Sequence, residues 1–395
     1  MRYSDFKLVE TKLKGNAVQL KEGARIQHAE DLVFWEGSKG AVRAIESLKK
    51  LEQGGHTDVT IKWDGSPAII FGRNEAGEFV LTDKSGFDAK GYDGKATSSK
   101  DLAQMFMNRP GYAKNPEGYG VLVNNMKSVF DKYEKAVPKD FRGYFKGDLL
   151  YFNTPEIING TYTFTPNIVT YKVDVDSEMG NRISKSKTAV VVHSMQDEQG
   201  SQLKLPNDVK NLFQGEEVFV VPPVTVTKAP QVNNDDITQL KQIVSKNAAG
   251  IDKLLDQATL TQLKLKNLPQ ILYNYTNSKV DTGLDNLGAD FLPWLNSKKE
   301  SDAKKQRIGD YIQQNKVGWK AIWDTVSAII RVKNDIIKQF DQHDTDVRAS
   351  IGDHGPVNSD AHGDGGEGYV LAHPEGDIKL VSREYFSKAN RAVER

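Results

Sequence analysis

Near residue 230 the spacing of apolar residues changes from two to three or four, and this change bounds what the chain can become. Before it, short runs rich in β-branched and aromatic residues read as strands: DVTIKWDG, SPAIIFGR, GEFVLTDK, FRGYFKGDLLYF, TYTFTPNIVTYKVDV, TAVVVHSM and EEVFVVPPVTV. NEAGE, between the second and third runs, reads as a turn. Two helices are expected in this part. GSKGAVRAIESLKKLEQGG sets Ala41, Val42, Ile45, Leu48 and Leu51 at helical spacing, with Ser38 as N-cap and Gly54-Gly55 as terminator, and MKSVFDKYEKAV supplies the other. After KAPQVNNDD the chain reads as helix after helix. The strongest, KVGWKAIWDTVSAIIRVKNDIIKQF, aligns Trp319, Ile322, Trp323, Val326, Ile329, Ile330, Ile336, Ile337 and Phe340 along one face, a stripe that reads as core. A long polar loop follows, DQHDTDVRASIGDHGPVNSDAHGDGGEG, and EGYVLAHPEGDIKLVS returns to strands. The expected class is α+β: antiparallel or mixed sheets with flanking helices over 1–230 and 343–395, interrupted by an all-helical insertion over 231–342.

Several function classes are disfavoured. No apolar run approaches the roughly 18 residues that a membrane helix needs. The start, MRYSDFKLVETKLKG, lacks the apolar core of a secretory signal, so the expected location is cytoplasmic and no membrane partner is expected. With no cysteine there is no disulfide framework, thiolate metal site or cysteine nucleophile. Lys and Arg balance Asp and Glu at 53 each, which disfavours a protein that coats nucleic acid nonspecifically. The balance conceals an asymmetry: residues 228–340 hold 17 Lys and Arg against 12 Asp and Glu.

Thr60 to Phe71, TIKWDGSPAIIF, places an ammonium and a carboxylate at the head of a buried strand. In extended chain Lys62 and Asp64 share one face, Trp63 takes the other, and Gly65 permits a turn or a close backbone approach. A desolvated ammonium gives up its proton more readily, and the neutral amine is a nucleophile. The other reading of the same residues is a strand-end lysine that snorkels to water beside a salt-bridged aspartate. Near the end of the sequence Glu367-Gly368-Tyr369-Val370 opens one strand and Lys379, in DIKLV, lies in the next, while GDLLY holds Asp148.

Taken together, KWDG, GDLLY, EGYV and IKLV resemble, in order, motifs of the covalent nucleotidyltransferases: RNA ligases, DNA ligases and mRNA capping enzymes. The resemblance implies that Lys62 becomes attached to a nucleoside monophosphate, with Ile61, Asp64 and Gly65 around it. Lys84, in LTDKSG, falls where the family contacts phosphate or ribose. Asp148 stands in place of the commoner glutamate, for ribose or metal; Tyr171, in IVTYKV, is the implied stacking aromatic, with Phe164 competing for the part. Glu367 is implied near the metal and Lys379 on the alpha phosphate, so the metal set is Asp148 and Glu367 and the catalytic pair Lys62 and Lys379. Implied cofactors are ATP and Mg2+ or Mn2+, since charge gathering on phosphate oxygens calls for a second cation. Ser66 and Pro67 after the KWDG glycine are similar to phage-type RNA ligases, and the stretch after Lys379 is too short for a C-terminal OB domain. The expectation is an ATP-dependent RNA ligase that seals 5'-phosphate to 3'-hydroxyl RNA ends, in a bacterial cytoplasm or a virus-infected one. The helical insertion is expected to touch RNA or a protein partner. A DNA ligase, a guanylyltransferase and a non-catalytic nucleotide-binding module are the alternatives.

Two rival motifs were weighed. GDGGEG, Gly363 to Gly368, fits the dinucleotide fingerprint but precedes a strand where the fingerprint must follow one. His343, His354, His362 and His373, with Asp344, Asp346, Asp353, Asp360 and Asp364, could mark the metal site of a hydrolase, but the spacing matches no established ligand pattern and a solvated loop or lid is the simpler reading. His28, His56 and His193 have no readable partner and are expected to be structural.

Overall fold

The computed structural model describes residues 27–51, 59–87, 94–167, 169–203, 205, 209–221, 230–279, 284, 286–341, 347–351, 368–371 and 377–384. Among them the strands are, in chain order, β1 (Gln27–His28), β2 (Val59–Ile61), β3 (Ala68–Arg73), β4 (Phe79–Asp83), β5 (Gly143–Tyr151), β6 (Glu156–Ile158) and β7 (Thr161–Phe164). They continue with β8 (Val169–Asp174), β9 (Thr188–Gln196), β10 (Gln202–Leu203), β11 (Val218–Val220), β12 (Val347–Ile351), β13 (Tyr369–Leu371) and β14 (Ile378–Leu380). The class is α+β, and the contacts divide the chain into two compact units.

The first unit takes residues 63–223 and 346–349, with 1–24 assigned to it as well. Its larger sheet runs β10-β9-β5-β3-β4, with β11 added on β9. The helices Ser99–Met107 and Pro116–Ala136 cover one face, where Ile69, Phe71, Leu81, Phe145 and Val190 meet Phe106, Met126, Phe130 and Tyr133. On the opposite face Ile70, Val80 and Tyr144 form a small cluster with Phe87, and alternation turns Lys146 and Asp148 to that side as well. A second sheet runs β12-β8-β7-β6. Its β12 falls in a segment expected to be loop: VRASI alternates apolar and polar residues, a short signal surrounded by aspartates and histidines.

The second unit takes residues 25–62, 224–345 and 350–395. The helices expected as an insertion over 231–342 therefore share one unit, and one core, with the helices Leu32–Glu36 and Ser38–Lys50 and with β13 and β14. The longest helix, Lys316–Asp341, buries the expected stripe, Ile322, Val326, Ile329 and Ile336 being 0 to 1 % exposed. Ser38 is not the N-cap; Gly37 takes that place and lies too close to Asp252 for a β-carbon. Asp252, from the helix Asn234–Leu254, accepts from both the Ser38 N–H, at 2.8 Å, and the Ser38 hydroxyl, at 2.7 Å. A capping partner 214 positions away is invisible to local sequence. The small sheet of this unit runs β1-β14-β13-β2, with β1 and β14 parallel and the other pairs antiparallel. Among the described residues no helix is long and apolar enough to cross a membrane.

Candidate functional site

The residues singled out in the sequence gather in two groups, one in each unit. In the second unit β13 pairs with β2 on one side, Ile61 opposite Tyr369, and with β14 on the other, Val370 opposite Lys379. Alternation then sorts the side chains. Val59, Tyr369, Leu371, Ile378 and Leu380 turn into the helical core, and Ile61 packs against it, so the Ile61 side chain supports the sheet. Thr60, Val370 and Lys379 take the opposite face. The Lys62 N–H donates to Gly368 O at 2.8 Å, which carries the ladder one residue past Ile61 and gives Lys62 the parity of Thr60. Lys62 and Lys379 thus belong to the same face of one sheet, on strands separated by β13.

His28 joins them, since it is the register partner of Lys379 across β1 and β14. Burial holds its imidazole well below the ordinary histidine value, and the positive charges of Arg383, Lys333, Lys379 and Lys62 act in the same direction. A neutral ring is therefore expected here at pH 7. Its Nδ1 is buried and has no hydrogen-bond partner among the described residues. The sequence offered no sign of this, because the pairing of residue 28 with residue 379 is a property of the sheet.

Beneath the sheet lies a fully buried ionic cluster. Lys333 Nζ donates to both Glu30 oxygens at 2.9 Å, and Arg383 donates to Glu30 Oε1 at 3.2 Å, Asp31 Oδ2 at 2.5 Å and Asn277 Oδ1 at 2.7 Å. Two cations thus meet two carboxylates, each group at most 2 % exposed. Burial, together with the Glu30 charge, pushes the Asp31 carboxyl up to about 6 in spite of Arg383. The cluster ties the segment after β1 to the long helix and to the residues just after β14, and so fixes the strand that bears Lys379.

In the first unit the chain after Lys62 leaves strand geometry and resumes it only at Ala68, with a cis Ser66–Pro67 bond between. The continuous strand expected over TIKWDGSPAIIF is therefore two strands of different sheets. Trp63 packs on Tyr171 with ring centroids 4.6 Å apart. The Asp64 N–H donates to the Tyr171 hydroxyl at 2.6 Å, and the Asp64 carboxylate accepts from Asn167 Nδ2 at 3.0 Å and the Val169 N–H at 3.3 Å. Asp64 therefore ties its own loop to the turn between β7 and β8. Tyr171, fully buried between Trp63 and Phe164, holds the Asp64 backbone; the base-stacking part implied for it would need a ring face that the protein's own rings cover.

Gly65 explains its own presence. A β-carbon there would lie 2.6 Å from Asp148 Cβ and 2.9 Å from Leu149 O, so only glycine lets the KWDG loop settle on β5. Ser66 N–H donates to Leu149 O at 2.8 Å and Leu149 N–H to Pro67 O at 3.1 Å, which locks that approach. Asp148 is half-buried, and its Oδ2 lies 2.8 Å from His193 Nε2. His193, read in the sequence as structural, is thus the partner of a candidate site residue. The neighbouring Asp83, at the end of β4, takes a bidentate contact from Arg109, which outweighs the opposing effect of burial and holds its carboxyl below the usual range.

Glu367, the histidine loop over 352–367 and His343 and His373 lie outside the described residues, as does the side chain of Lys84. Among the described residues no group of three or more His, Cys, Asp and Glu side chains could hold a metal. A cavity of about 760 Å³ opens in the helical unit, lined by residues that include Lys246, Asn247, Trp323, Arg331, Asn334 and Glu384. Its described lining contains none of the residues marked out in the sequence.

Comparison with curated proteins and with solved structures found no match to this chain. One family model covers residues 24–395, from just before β1 to the last residue, and so takes in both groups of candidate site residues. The chain belongs to that family, a family of unknown function (DUF6267).

Proposed function

We propose that the protein is an ATP-dependent nucleotidyltransferase of the RNA ligase type, with Lys62 as the nucleophile. The observation that carries the reading is the shared sheet face of Lys62 and Lys379, with β13 between their strands. Two strand spacings, roughly 10 Å, lie between them. That separation suits one amine that attacks a phosphorus and a second that neutralises its oxygens. In the first step Lys62 Nζ attacks the alpha phosphorus of ATP; the N–P bond forms, the bond to pyrophosphate breaks, and the amine proton passes to solvent. Lys379 would stabilise the charge that gathers on the alpha phosphate. AMP then moves to a 5'-phosphate end, which a 3'-hydroxyl attacks with loss of AMP.

Asp148 fits a divalent cation delivered with a nucleotide. Magnesium commonly takes one or two carboxylates and completes its shell with phosphate oxygens and water, and a half-buried carboxylate held on one side meets that need. Bound there, the ion would act as a Lewis acid on phosphate oxygens. The excess of 17 Lys and Arg over 12 Asp and Glu across residues 228–340 supports an RNA substrate that contacts the helical part.

The test is incubation of the full chain with alpha-labelled ATP or GTP and Mg2+, followed by a denaturing gel. Label should remain on the wild-type protein, appear with ATP rather than GTP, and vanish in Lys62→Ala. Absence of label from protein freed of bound nucleotide would remove the proposal, and labelling by GTP would move it to a guanylyltransferase.

A further inference from the structure

β9 carries one residue more than the stretch of β5 that it pairs with. Lys146 lies opposite Ser194 and the next residue, Gly147, opposite Val192, so His193 is left over as a bulge. Bulges disrupt the ladder locally, re-aim a side chain and are over-represented beside active sites. Here Val192 and Met195 stay in the helix-covered core while His193 reaches Asp148 on the other face. The contact has little to do with holding the fold together, because the two side chains are 45 % and 26 % exposed, and exposed pairs contribute only about 0–1 kcal/mol.

A second observation converges on the same carboxylate. The backbone of Asp148 is pinned from below, where Gly65 sits against its Cβ and the Ser66–Leu149 and Leu149–Pro67 hydrogen bonds hold the loop in place. Its Oδ2 is pinned from the side by His193 Nε2. One half-buried aspartate is thus restrained at both ends by a close-approach glycine and a bulged histidine. A surface residue does not need such support; a ligand that must offer one oxygen in a fixed direction does.

We propose that His193 is a positioning residue that orients Asp148 as a donor to a divalent cation, taking up Oδ2 and leaving Oδ1 for the ion. The proposal rests on the nucleotidyl-transfer reading for its purpose, but it is testable without that reading. Groups that hydrogen-bond a metal ligand typically contribute about 10–100-fold to affinity or activity. His193→Ala removes the hydrogen bond, His193→Gln keeps an N–H at similar reach, and Asp148→Asn removes the donor.

The experiment is a titration of the full chain with Mn2+ alone, free ion being read by electron paramagnetic resonance, alongside a Mg2+ dependence of self-labelling by alpha-labelled ATP. Asp148→Asn should lose the Mn2+ site, His193→Ala should weaken it about 10-fold, and His193→Gln should restore it to within about 3-fold. In the labelling assay His193→Ala should raise the half-saturating Mg2+ by a similar factor and leave the KM for ATP unchanged. Equal Mn2+ affinity in wild type and His193→Ala, or a wild-type protein with no Asp148-dependent Mn2+ site, would overturn the inference while Lys62-dependent labelling still stood. Mn2+ binding that depends on Asp148 and His193 in a protein that takes no label would instead overturn the nucleotidyl-transfer reading and keep this one.

Discussion

Arg73 in the first unit and Lys333 in the second are both buried cations, and their surroundings differ in kind. Arg73 has no counter-ion in the contacts described; it donates to main-chain oxygens, Pro138 O at 2.9 Å, Glu134 O at 2.8 Å, Val137 O at 3.0 Å and Gly77 O at 3.1 Å. Three of these carbonyls lie at or just past the end of the helix Pro116–Ala136, where orphan acceptors and the helix dipole favour a positive charge. Lys333 is met by Glu30, in a cluster that also holds Arg383 and Asp31. Backbone dipoles do not titrate, whereas carboxylates do. The first unit should therefore keep its buried charge over a wide pH range, and the second should respond to acid.

The largest expected effect is that of Glu30→Gln, which leaves Lys333 and Arg383 with Asp31 as their remaining buried carboxylate; removal of one member of a buried ionic group costs roughly 3–5 kcal/mol. Urea denaturation should show it, and a cost below about 1 kcal/mol would mean that the cluster is not a structural determinant. Arg73→Met strands several helix-end carbonyls in the first unit and should cost about 3 kcal/mol, with no change in how stability varies with pH.

Next comes Asp31. Its carboxyl is raised from 3.8 to about 6, so between those values the folded chain binds more protons than the unfolded one, and stability rises as the pH falls from about 6. The gain is on the order of 2 kcal/mol. Glu30 opposes it at lower pH: burial pushes its carboxyl up but Lys333 and Arg383 hold it below 4.5, so its contribution is lost only as acid reaches that lower range. The urea midpoint should accordingly be higher at pH 5 than at pH 7, and Asp31→Asn should flatten that difference; an unchanged profile would contradict the assignment. The smallest effect is that of Tyr171→Phe, which deprives the buried Asp64 N–H of its acceptor and should cost about 1 kcal/mol. A further prediction at the site itself is the loss of label in Lys62→Ala.

Much of the secondary structure was legible because it depends on neighbours in sequence. The apolar alternation in SPAIIFGR and GEFVLTDK became β3 and β4, which pair through Ile70 opposite Thr82, and the stripe from Trp319 to Phe340 became one helix. The KWDG, GDLLY and IKLV segments were marked as chemistry from residue types and spacing, and Gly65 was read as a site of close approach, as its distance to Asp148 bears out. Less legible was whatever depends on a partner far along the chain. The strand signal ran straight through Lys62, yet the strand ends at Ile61, because Trp63 and Asp64 find better partners in Tyr171, Asn167 and Val169. His28 and His193 looked idle for the same reason: their partners are Lys379 across a parallel strand pair and Asp148 across a bulge.

By itself, then, the sequence determined the local periods, the change from strand to helix near residue 230, and the types of residue available for phosphoryl chemistry. Tertiary structure decided which of them stand together. It joined the early helices and the last two strands to the helical region, set Lys62 and Lys379 on one face of one sheet, and turned His193 toward Asp148. The physical reason is that side-chain direction in a strand alternates with position, so the register of a distant partner, and a single extra residue in a bulge, determine which groups share a face.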